Sequence, residues 1–245
     1  MGIYSSDWYK RRKSLSIESA NIIVPIVNDL ISPESIIDLG CGTGDWLYCF
    51  IENGIKDVVG VDGEWVNRDD ISIPEKNFIP HNLSDSFFFD RKFDLSMSLE
   101  AAEHVTEKEA NTFVENLVRL APVVLFSAAI PGQGGTGHVN EQWPSYWSDK
   151  FKKHNYVWVD CLRPLIWDEM NVAHWYKQNI LLYVDKSLIE KYPKIFEIKN
   201  CQLSSVPMSI VHPELFKNKT DLSKRSSSML WTALWDRFSK KWFNK

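Results

Sequence analysis

The stretch Ile36-Ile37-Asp38-Leu39-Gly40-Cys41-Gly42-Thr43-Gly44 decides the fold of this chain. A short apolar run ends in an acid and a leucine, and three glycines follow at alternate positions. This pattern predicts a buried strand that runs into a tight glycine turn and then into a helix. The first amide N–H groups of such a helix have no partners within it, so the turn is suited to hold a polar ligand.

Apolar strands alternate with amphipathic helices on both sides of this stretch. We expect helices at residues 14–30, 45–53, 107–120 and 145–154. We expect strands at residues 35–39, 58–62, 77–80, 93–99, 123–129, 156–160 and 180–185. The alternation predicts an α/β fold: a Rossmann-like, doubly wound, mainly parallel seven-stranded sheet covered by helices on both faces, with a C-terminal helical extension.

The chain divides into three expected regions. Residues 1–30 form an N-terminal arm and helix, residues 31–186 the main domain, and residues 187–245 a C-terminal extension. The last helix, at 229–243, carries an aromatic stripe in a basic segment: Trp231, Trp235, Phe238 and Trp242. Such a basic amphipathic helix docks on its own domain, forms a homodimer contact or lies on a membrane surface.

Composition narrows the class of protein. The net charge of −4 over 245 residues argues against a general polyanion binder. The four cysteines show no paired spacing, so we expect free thiols in a reducing, cytoplasmic environment. The polar N-terminus does not resemble a secretory signal, and no apolar run is long enough for a transmembrane segment.

A second acid supports a nucleoside-like ligand at the glycine turn. Asp62 ends the next strand, 22 positions after Gly40, where a carboxylate grips a ribose diol in nucleotide-binding folds. A glycine turn alone is weak evidence, because NAD, FAD and other nucleotide folds share it. No cluster of Lys or Arg lies near the turn, so a pyrophosphate is not required.

From about Ile36 to Asp160, these motifs and their order resemble the class I S-adenosylmethionine-dependent methyltransferases. The resemblance implies a cofactor site formed by Asp38, Gly40, Gly42, Gly44, Asp62, Asn82, Leu83 and Leu99. In it, Asp38 and Gly40 hold the amino-acid end of the cofactor, and Asp62 binds the ribose hydroxyls. Asn82 and Leu83 occupy the adenine-contact position, where the family usually has Asp, and the strand ending at Leu99 lies under the methionine part.

The implied reaction is an SN2 methyl transfer, in which the enzyme mainly aligns donor and acceptor. A hydroxyl acceptor also profits from a general base. Candidate groups follow the fourth strand: Glu100, Glu103 and His104 share one face if this segment is helical.

Three interpretations of this cluster stay open. In the first, Glu103 and His104 are hydrogen-bonded scaffold, as is common after this strand in the family. In the second, His104 or Glu100 is the general base. In the third, Glu100, Glu103, His104 and His138 bind Mg²⁺ or Mn²⁺, which activates the acceptor as a Lewis acid. The residues of this third interpretation also resemble the metal-binding set of the small-RNA 3′-terminal 2′-O-methyltransferases. Those enzymes bind metal through a Glu-x-x-Glu-His motif and a later His.

The acceptor side of the sequence is less specific. The glycine-rich loop at 131–137 is expected to be flexible and to close over the substrate. Residues 140–147 mix polar groups with aromatic rings, which suits a sugar or a base and also suits plain helix packing. Arg163 and the segment 174–177 are candidates for contact with an anionic substrate.

The preferred hypothesis is that the protein O-methylates a small-molecule or glycan substrate. The acceptor is then a small molecule, a sugar or a sugar-linked nucleotide. The alternative is a metal-assisted RNA 2′-O-methyltransferase, against which the sequence offers no dense basic channel. A third class is a cofactor-binding partner subunit without an acceptor pocket.

Overall fold

The structure is a computed structural model that describes residues 6–221, with side chains from residue 15 onward. The expected aromatic helix at 229–243 lies outside the described residues. The chain divides into two units, Met1–Ile210 and Val211–Lys245.

The first unit contains seven α-helices and seven strands in its described residues, and they alternate along most of the chain. Its helices are α1 (Ser6–Ile31), α2 (Asp45–Glu52), α3 (Ala110–Leu120), α4 (Pro144–Lys152), α5 (Arg163–Ile166), α6 (His174–Asn179) and α7 (Pro193–Cys201). Its strands are β1 (Ser35–Leu39), β2 (Asp57–Asp62), β3 (Phe78–Pro80), β4 (Leu95–Leu99), β5 (Val123–Ser127), β6 (Tyr156–Val159) and β7 (Leu181–Asp185). Every expected strand is present at the expected place, whereas the short helices α5, α6 and α7 were not predicted.

The seven strands form one sheet in the order β3-β2-β1-β4-β5-β7-β6. Neighbours from β3 to β5 pair in parallel, and β7 pairs antiparallel with both β5 and β6. The predicted doubly wound, mainly parallel α/β sheet is therefore confirmed. Because β7 runs against β5, with Leu181 opposite Phe126, the residues just before β7 reach the edge where β4 and β5 end.

The side chains of successive strand residues are buried on opposite faces of the sheet. Ile36 and Ile37 are both fully buried, but Ile36 belongs to a core shared with α1 and α2, and Ile37 to a core shared with α3 and α4. Burial of one such side chain contributes about 1.5–3 kcal/mol. The period of two along β1 thus explains why helices are required on both faces of the sheet.

Helix α3 begins later than the sequence predicts. Thr106 N–H donates to Oε2 of Glu109 at 3.2 Å, which is one of the two hydrogen bonds of a capping box. Residues 107–109 form a turn rather than α-helix, and α3 starts at Ala110.

Helix α1 is longer than predicted. It starts at Ser6, contains Pro25 without ending there, and is tied to the segment before α6, because Ala173 N–H donates to Ser19 Oγ at 3.0 Å. All four cysteines lie in the described part of the chain and are free thiols, as expected. Among the described helices, none is long and apolar enough to cross a membrane.

In the second unit, the described residues form helix α8 (Pro213–Thr220). The Glu214 N–H donates to Nδ1 of His212 at 3.3 Å, so an imidazole nitrogen caps the first turn of this helix.

Candidate active site

The two sides of the glycine turn after β1 differ. Protein atoms pack closely against Gly40, whereas Gly42 faces open space. Gly40 has φ +92°, and a Cβ added there would lie 2.4 Å from Cβ of Ala101. Gly42 has φ +55°, and within the described part of the chain a Cβ there would meet no atom within 4 Å. A side chain is thus excluded at Gly40 by both backbone and neighbour, while Gly42 faces a space that a ligand can enter.

Asp62 ties the end of β2 to this turn. Its Oδ2 accepts from Gly42 N–H and its Oδ1 from Gly63 N–H, both at 2.7 Å. Burial raises the pKa of Asp62, and the two backbone hydrogen bonds partly offset that rise. The carboxylate therefore shapes the turn and sits at its mouth.

Asp38 lies behind the turn and is only 2% exposed. Burial, and then the negative charge of Asp62, raise the pKa of Asp38 well above its usual value. Among the described residues, none donates a hydrogen bond to Oδ1 of Asp38. A buried carboxylate oxygen of this kind is satisfied by a cationic donor, which fits the amino group of S-adenosylmethionine.

The remaining cofactor candidates surround the same turn. Leu83 Cδ1 lies 3.5 Å from the Cβ position of Gly40, and Leu99 is buried at the end of β4. Asn82 is exposed, and its side chain forms a local turn: Oδ1 accepts from Ser84 N–H and Nδ2 donates to Asp85. The Asn82 carbonyl thus already has one partner, although it can accept a second hydrogen bond.

Three of the four candidate catalytic residues come together beside this turn. Glu103 and His104 belong to a short 3-10 turn after β4, and His138 lies in the loop after β5. Nε2 of His138 is 3.7 Å from Oε1 of the fully buried Glu103, and the two imidazoles meet edge-on with centroids 5.0 Å apart. One potential ligand atom from each of the three lies within 4.8 Å of the others.

Glu100 does not join this group. Its backbone has φ +54°, and its N–H donates to Ser127 O at 3.0 Å as β4 ends. Its carboxylate accepts from Gln133 Nε2 at 2.7 Å and from Asn179 Nδ2 at 2.9 Å. The left-handed backbone ends the strand and places this carboxylate on a separate network, so the shared face expected for Glu100, Glu103 and His104 does not form.

The amides of that network were not anticipated from the sequence. Gln178 Nε2 and Asn179 Nδ2 both donate to Gln133 Oε1, at 2.8 and 2.9 Å. Gln178 and Asn179 immediately precede β7, and only the antiparallel direction of that strand brings them to the site. Local sequence carries no signal of that direction.

Glu141 lies in the segment 140–147 and was not among the site residues predicted from the sequence. Its carboxylate accepts from Gly132 N–H at 2.8 Å, from Gly134 N–H at 2.6 Å and from His138 Nδ1 at 2.9 Å. Burial alone would raise the pKa of Glu141, but these hydrogen bonds together lower it below the usual value. The glycine loop is thus tied down at Glu141 and at Gln133, which differs from the flexible closing loop that was expected.

Arg163 is occupied within the fold. It is 1% exposed, forms two hydrogen bonds to the Asp160 carboxylate, and donates through Nη1 to the backbone oxygens of Gln178 and Met208. The expectation that Arg163 meets an anionic substrate is therefore wrong, because its guanidinium has no exposed face. Lys177, also suggested for that role, is 5% exposed.

Part of the chain matches the model of a known protein family. Residues 36–122, from β1 to the end of α3, match the model of a methyltransferase domain family. A search of the curated proteins found no match to the sequence.

Solved structures of similar fold are methyltransferases. The sugar N-methyltransferase KedS8 from Streptoalloteichus sp ATCC 53650 is 14% identical, with 76% of this chain and 97% of that chain covered and a TM-score of 0.58. Magnesium protoporphyrin IX methyltransferase (ChlM) from Synechocystis PCC 6803, with bound SAH, is 16% identical, with coverage of 75% and 89% and a TM-score of 0.52. The methyltransferase domain of bacterial CtHen1-C is 15% identical, with coverage of 69% and 97% and a TM-score of 0.50.

Residues 36–122 thus match a methyltransferase domain, and the chain has the Rossmann-like fold of the class I S-adenosylmethionine-dependent methyltransferases. The family match contains the glycine turn, Asp62 and the segment from Glu100 to His104. At 14–16% identity, the likeness to the solved structures concerns the fold, and their acceptors remain properties of those proteins.

Proposed function

We propose that the enzyme methylates a hydroxyl group of a small-molecule, sugar or sugar-linked nucleotide acceptor, and that His104 is the general base. The observation that carries this proposal is the edge-on pair of His104 and His138 beside the buried Glu103, next to the glycine turn. S-adenosylmethionine supplies an electrophilic methyl group on a sulfonium. As the acceptor oxygen bonds to that carbon and the carbon–sulfur bond breaks, the hydroxyl proton must pass to a base.

His104 is suited to take that proton. It is the exposed member of the pair, and its Nδ1 is 3.2 Å from the backbone oxygen of Gly137. A carbonyl oxygen only accepts, so Nδ1 carries the hydrogen and Nε2 is the basic nitrogen of the ring. A carboxylate oxygen of Glu103 lies within 4.8 Å of a ring nitrogen of His104, and its negative charge favours the imidazolium that forms when the proton arrives.

The cofactor site of the proposal consists of Asp38, Gly40, Gly42, Gly44, Asp62, Asn82, Leu83 and Leu99. The buried Oδ1 of Asp38 suits the amino group, and the mouth of the turn at Asp62 suits the ribose hydroxyls. The open side of Gly42 leaves room for the ligand.

The chemistry around the two histidines favours an uncharged, hydroxyl-bearing acceptor. Residues 120–149, which contain β5, the glycine loop and His138, include no lysine and no arginine. The polar groups near the site are instead the carboxamides of Gln133 and Asn179 and the carboxylate of Glu100. Amides and carboxylates suit hydroxyl groups, whereas RNA binding relies on Lys and Arg at the phosphates.

A metal-assisted RNA 2′-O-methyltransferase is the second candidate. It is favoured by the ligand atoms of Glu103, His104 and His138, which lie within 4.8 Å of one another. Mixed carboxylate and imidazole ligands suit Mn²⁺ or Mg²⁺, and a cation there would acidify a ribose hydroxyl. Glu100, the fourth ligand suggested by the sequence, would have to leave Gln133 and Asn179 to take part.

The test is methylation of separated acceptor pools. Purified enzyme is incubated with labelled S-adenosylmethionine and, separately, with RNA, nucleotide sugars, polysaccharide and small-molecule extract, each with and without EDTA. We expect label in a carbohydrate pool, and a loss of about 10²–10⁴-fold in kcat for His104→Ala. Label confined to RNA and abolished by EDTA would reject the proposal in favour of the second candidate.

A further inference from the structure

We propose that Glu141 is a positioning residue: it fixes the ring proton of His138 on Nδ1 and holds the glycine loop 131–137 in the conformation that aligns both imidazoles. This inference rests on the proposed function of the two histidines. It adds a residue that neither the family motifs nor the sequence pattern selected.

The direct contact is the 2.9 Å hydrogen bond between Nδ1 of His138 and Oε1 of Glu141. Oε2 of Glu141 accepts from Gly132 N–H and Oε1 accepts from Gly134 N–H, so both carboxylate oxygens act as hydrogen-bond acceptors. Nδ1 of His138 must therefore carry the hydrogen, which leaves Nε2 as the basic nitrogen, directed toward Glu103.

The same carboxylate fixes the loop. Gly132 and Gly134 have φ +84° and +72°, and both donate their N–H groups to Glu141. A loop so rich in glycine loses much conformational freedom when ordered, and charge-assisted hydrogen bonds are strong enough to offset that loss. Within the described part of the chain, the N–H groups of Gly132 and Gly134 have no hydrogen-bond acceptor other than Glu141.

The loop in turn places both rings. A Cβ added at Gly135 would lie 2.1 Å from Nε2 of His138, so the ring of His138 packs directly on the backbone at this glycine. Two residues further on, the carbonyl of Gly137 contacts Nδ1 of His104 at 3.2 Å. Glu141 therefore acts on His138 directly and on His104 through the loop.

The primary variant is Glu141→Gln, which keeps the size of the side chain and one acceptor oxygen but removes the charge. Glu190→Gln is the matched control, because Glu190 is exposed in a short turn after β7. The measurements are kcat, KM for the acceptor, the Kd of S-adenosylmethionine, and the ¹⁵N signals of His138 at a pH where its ring is neutral, assigned with His138→Gln.

We expect Glu141→Gln to lower kcat by about 10–100-fold, the range typical for loss of a carboxylate that orients a functional histidine. The Kd of the cofactor stays unchanged, and the Nδ1 signal of His138 moves from the protonated toward the unprotonated type. Glu190→Gln changes none of these. Wild-type kcat together with an unchanged His138 signal in Glu141→Gln would overturn the inference.

A second variant tests the loop without touching the carboxylate. Gly135→Ala inserts a methyl group where the His138 ring packs, so we expect a similar loss of kcat with the cofactor Kd retained. Full activity of Gly135→Ala would contradict the positioning role of the loop.

The positioning role of Glu141 and the proposed function can each be disproved by a different experiment. If His138→Gln and His104→Ala keep full activity, the proposed function fails. The ¹⁵N signals of His138 in Glu141→Gln still report whether Glu141 fixes the ring proton.

Discussion

The carboxylate of Glu100 accepts a 2.9 Å hydrogen bond from Nδ2 of Asn179, across 79 positions of the sequence. Glu100 stands where β4 ends, and Asn179 stands just before β7. The bond therefore joins the part of the sheet that carries the glycine turn to the strand that runs in the opposite direction. Gln133 completes the connection by reaching both residues from the glycine loop.

Asn179→Ala is expected to destabilise the protein by about 1–3 kcal/mol, because a buried carboxylate then lacks a donor it has in the native state. Urea denaturation followed by circular dichroism measures the change. Asn200→Ala, on the exposed side of α7, serves as control and is expected to have little effect. Equal midpoints for the two variants would contradict the structural importance of the bond.

Asp38→Asn is expected to stabilise the cofactor-free protein at neutral pH. The pKa of Asp38 is raised in the folded state, so above the usual value of 3.8 the unfolded chain ionises more readily and is favoured. The advantage of the variant over wild type therefore disappears as pH falls below that value. Thermal unfolding at neutral and acidic pH measures it, with the exposed Asp90→Asn as control.

The same variant is expected to bind S-adenosylmethionine at least about tenfold more weakly, since hydrogen bonds to charged groups contribute about 1.5–3 kcal/mol. Isothermal titration calorimetry gives the Kd. Unchanged affinity would remove Asp38 from the cofactor site.

Gly40→Ala is expected to destabilise the protein by more than Gly54→Ala does. Both glycines have nearly the same backbone conformation, φ +92° and +97°, so both variants carry the cost of a left-handed alanine, about 1–2 kcal/mol. Only at Gly40 does the new Cβ meet Ala101, at 2.4 Å. Urea denaturation of the pair isolates the steric part, and similar losses would show that the turn has room for a methyl group.

Arg163→Met is expected to cost about 3–5 kcal/mol, because Asp160 and two backbone oxygens lose their buried donor. Arg91→Met is the matched control: Arg91 also pairs with an aspartate, Asp57, but both side chains are 40% exposed or more, so the loss there is about 1 kcal/mol or less. Chemical denaturation compares them. A loss for Arg163→Met no larger than for the control would contradict a structural role.

Sequence alone predicted the parts of this protein that depend on local pattern. The strands follow from apolar runs bounded by turn residues, and the glycine turn follows from the spacing of glycines and acids near Gly40 and Asp62. One of the three interpretations of the sequence brought Glu103, His104 and His138 together, since loops after adjacent parallel strands share one edge of the sheet.

The rest depends on tertiary relationships that no local pattern encodes. Glu100 lies outside the expected cluster because its backbone is in the left-handed conformation. The sequence Leu99-Glu100-Ala101 carries no signal of that conformation. Gln178 and Asn179 joined the site only because β7 runs antiparallel. Arg163 was a candidate for contact with an anionic substrate, although Asp160 and two backbone oxygens hold its guanidinium inside the fold.

The placement of β7 also determines the order in which parts of the sheet can form during synthesis of the chain at the ribosome. Strands β1 to β5 can pair as they emerge, and they complete the glycine turn before Gln178 and Asn179 have been made. Until residues 181–185 follow, β5 presents an unpaired edge on the nascent chain, a template for pairing with other chains. A pause in translation just before β7 therefore leaves a nascent domain whose glycine turn is complete but whose exposed β5 edge is prone to aggregation.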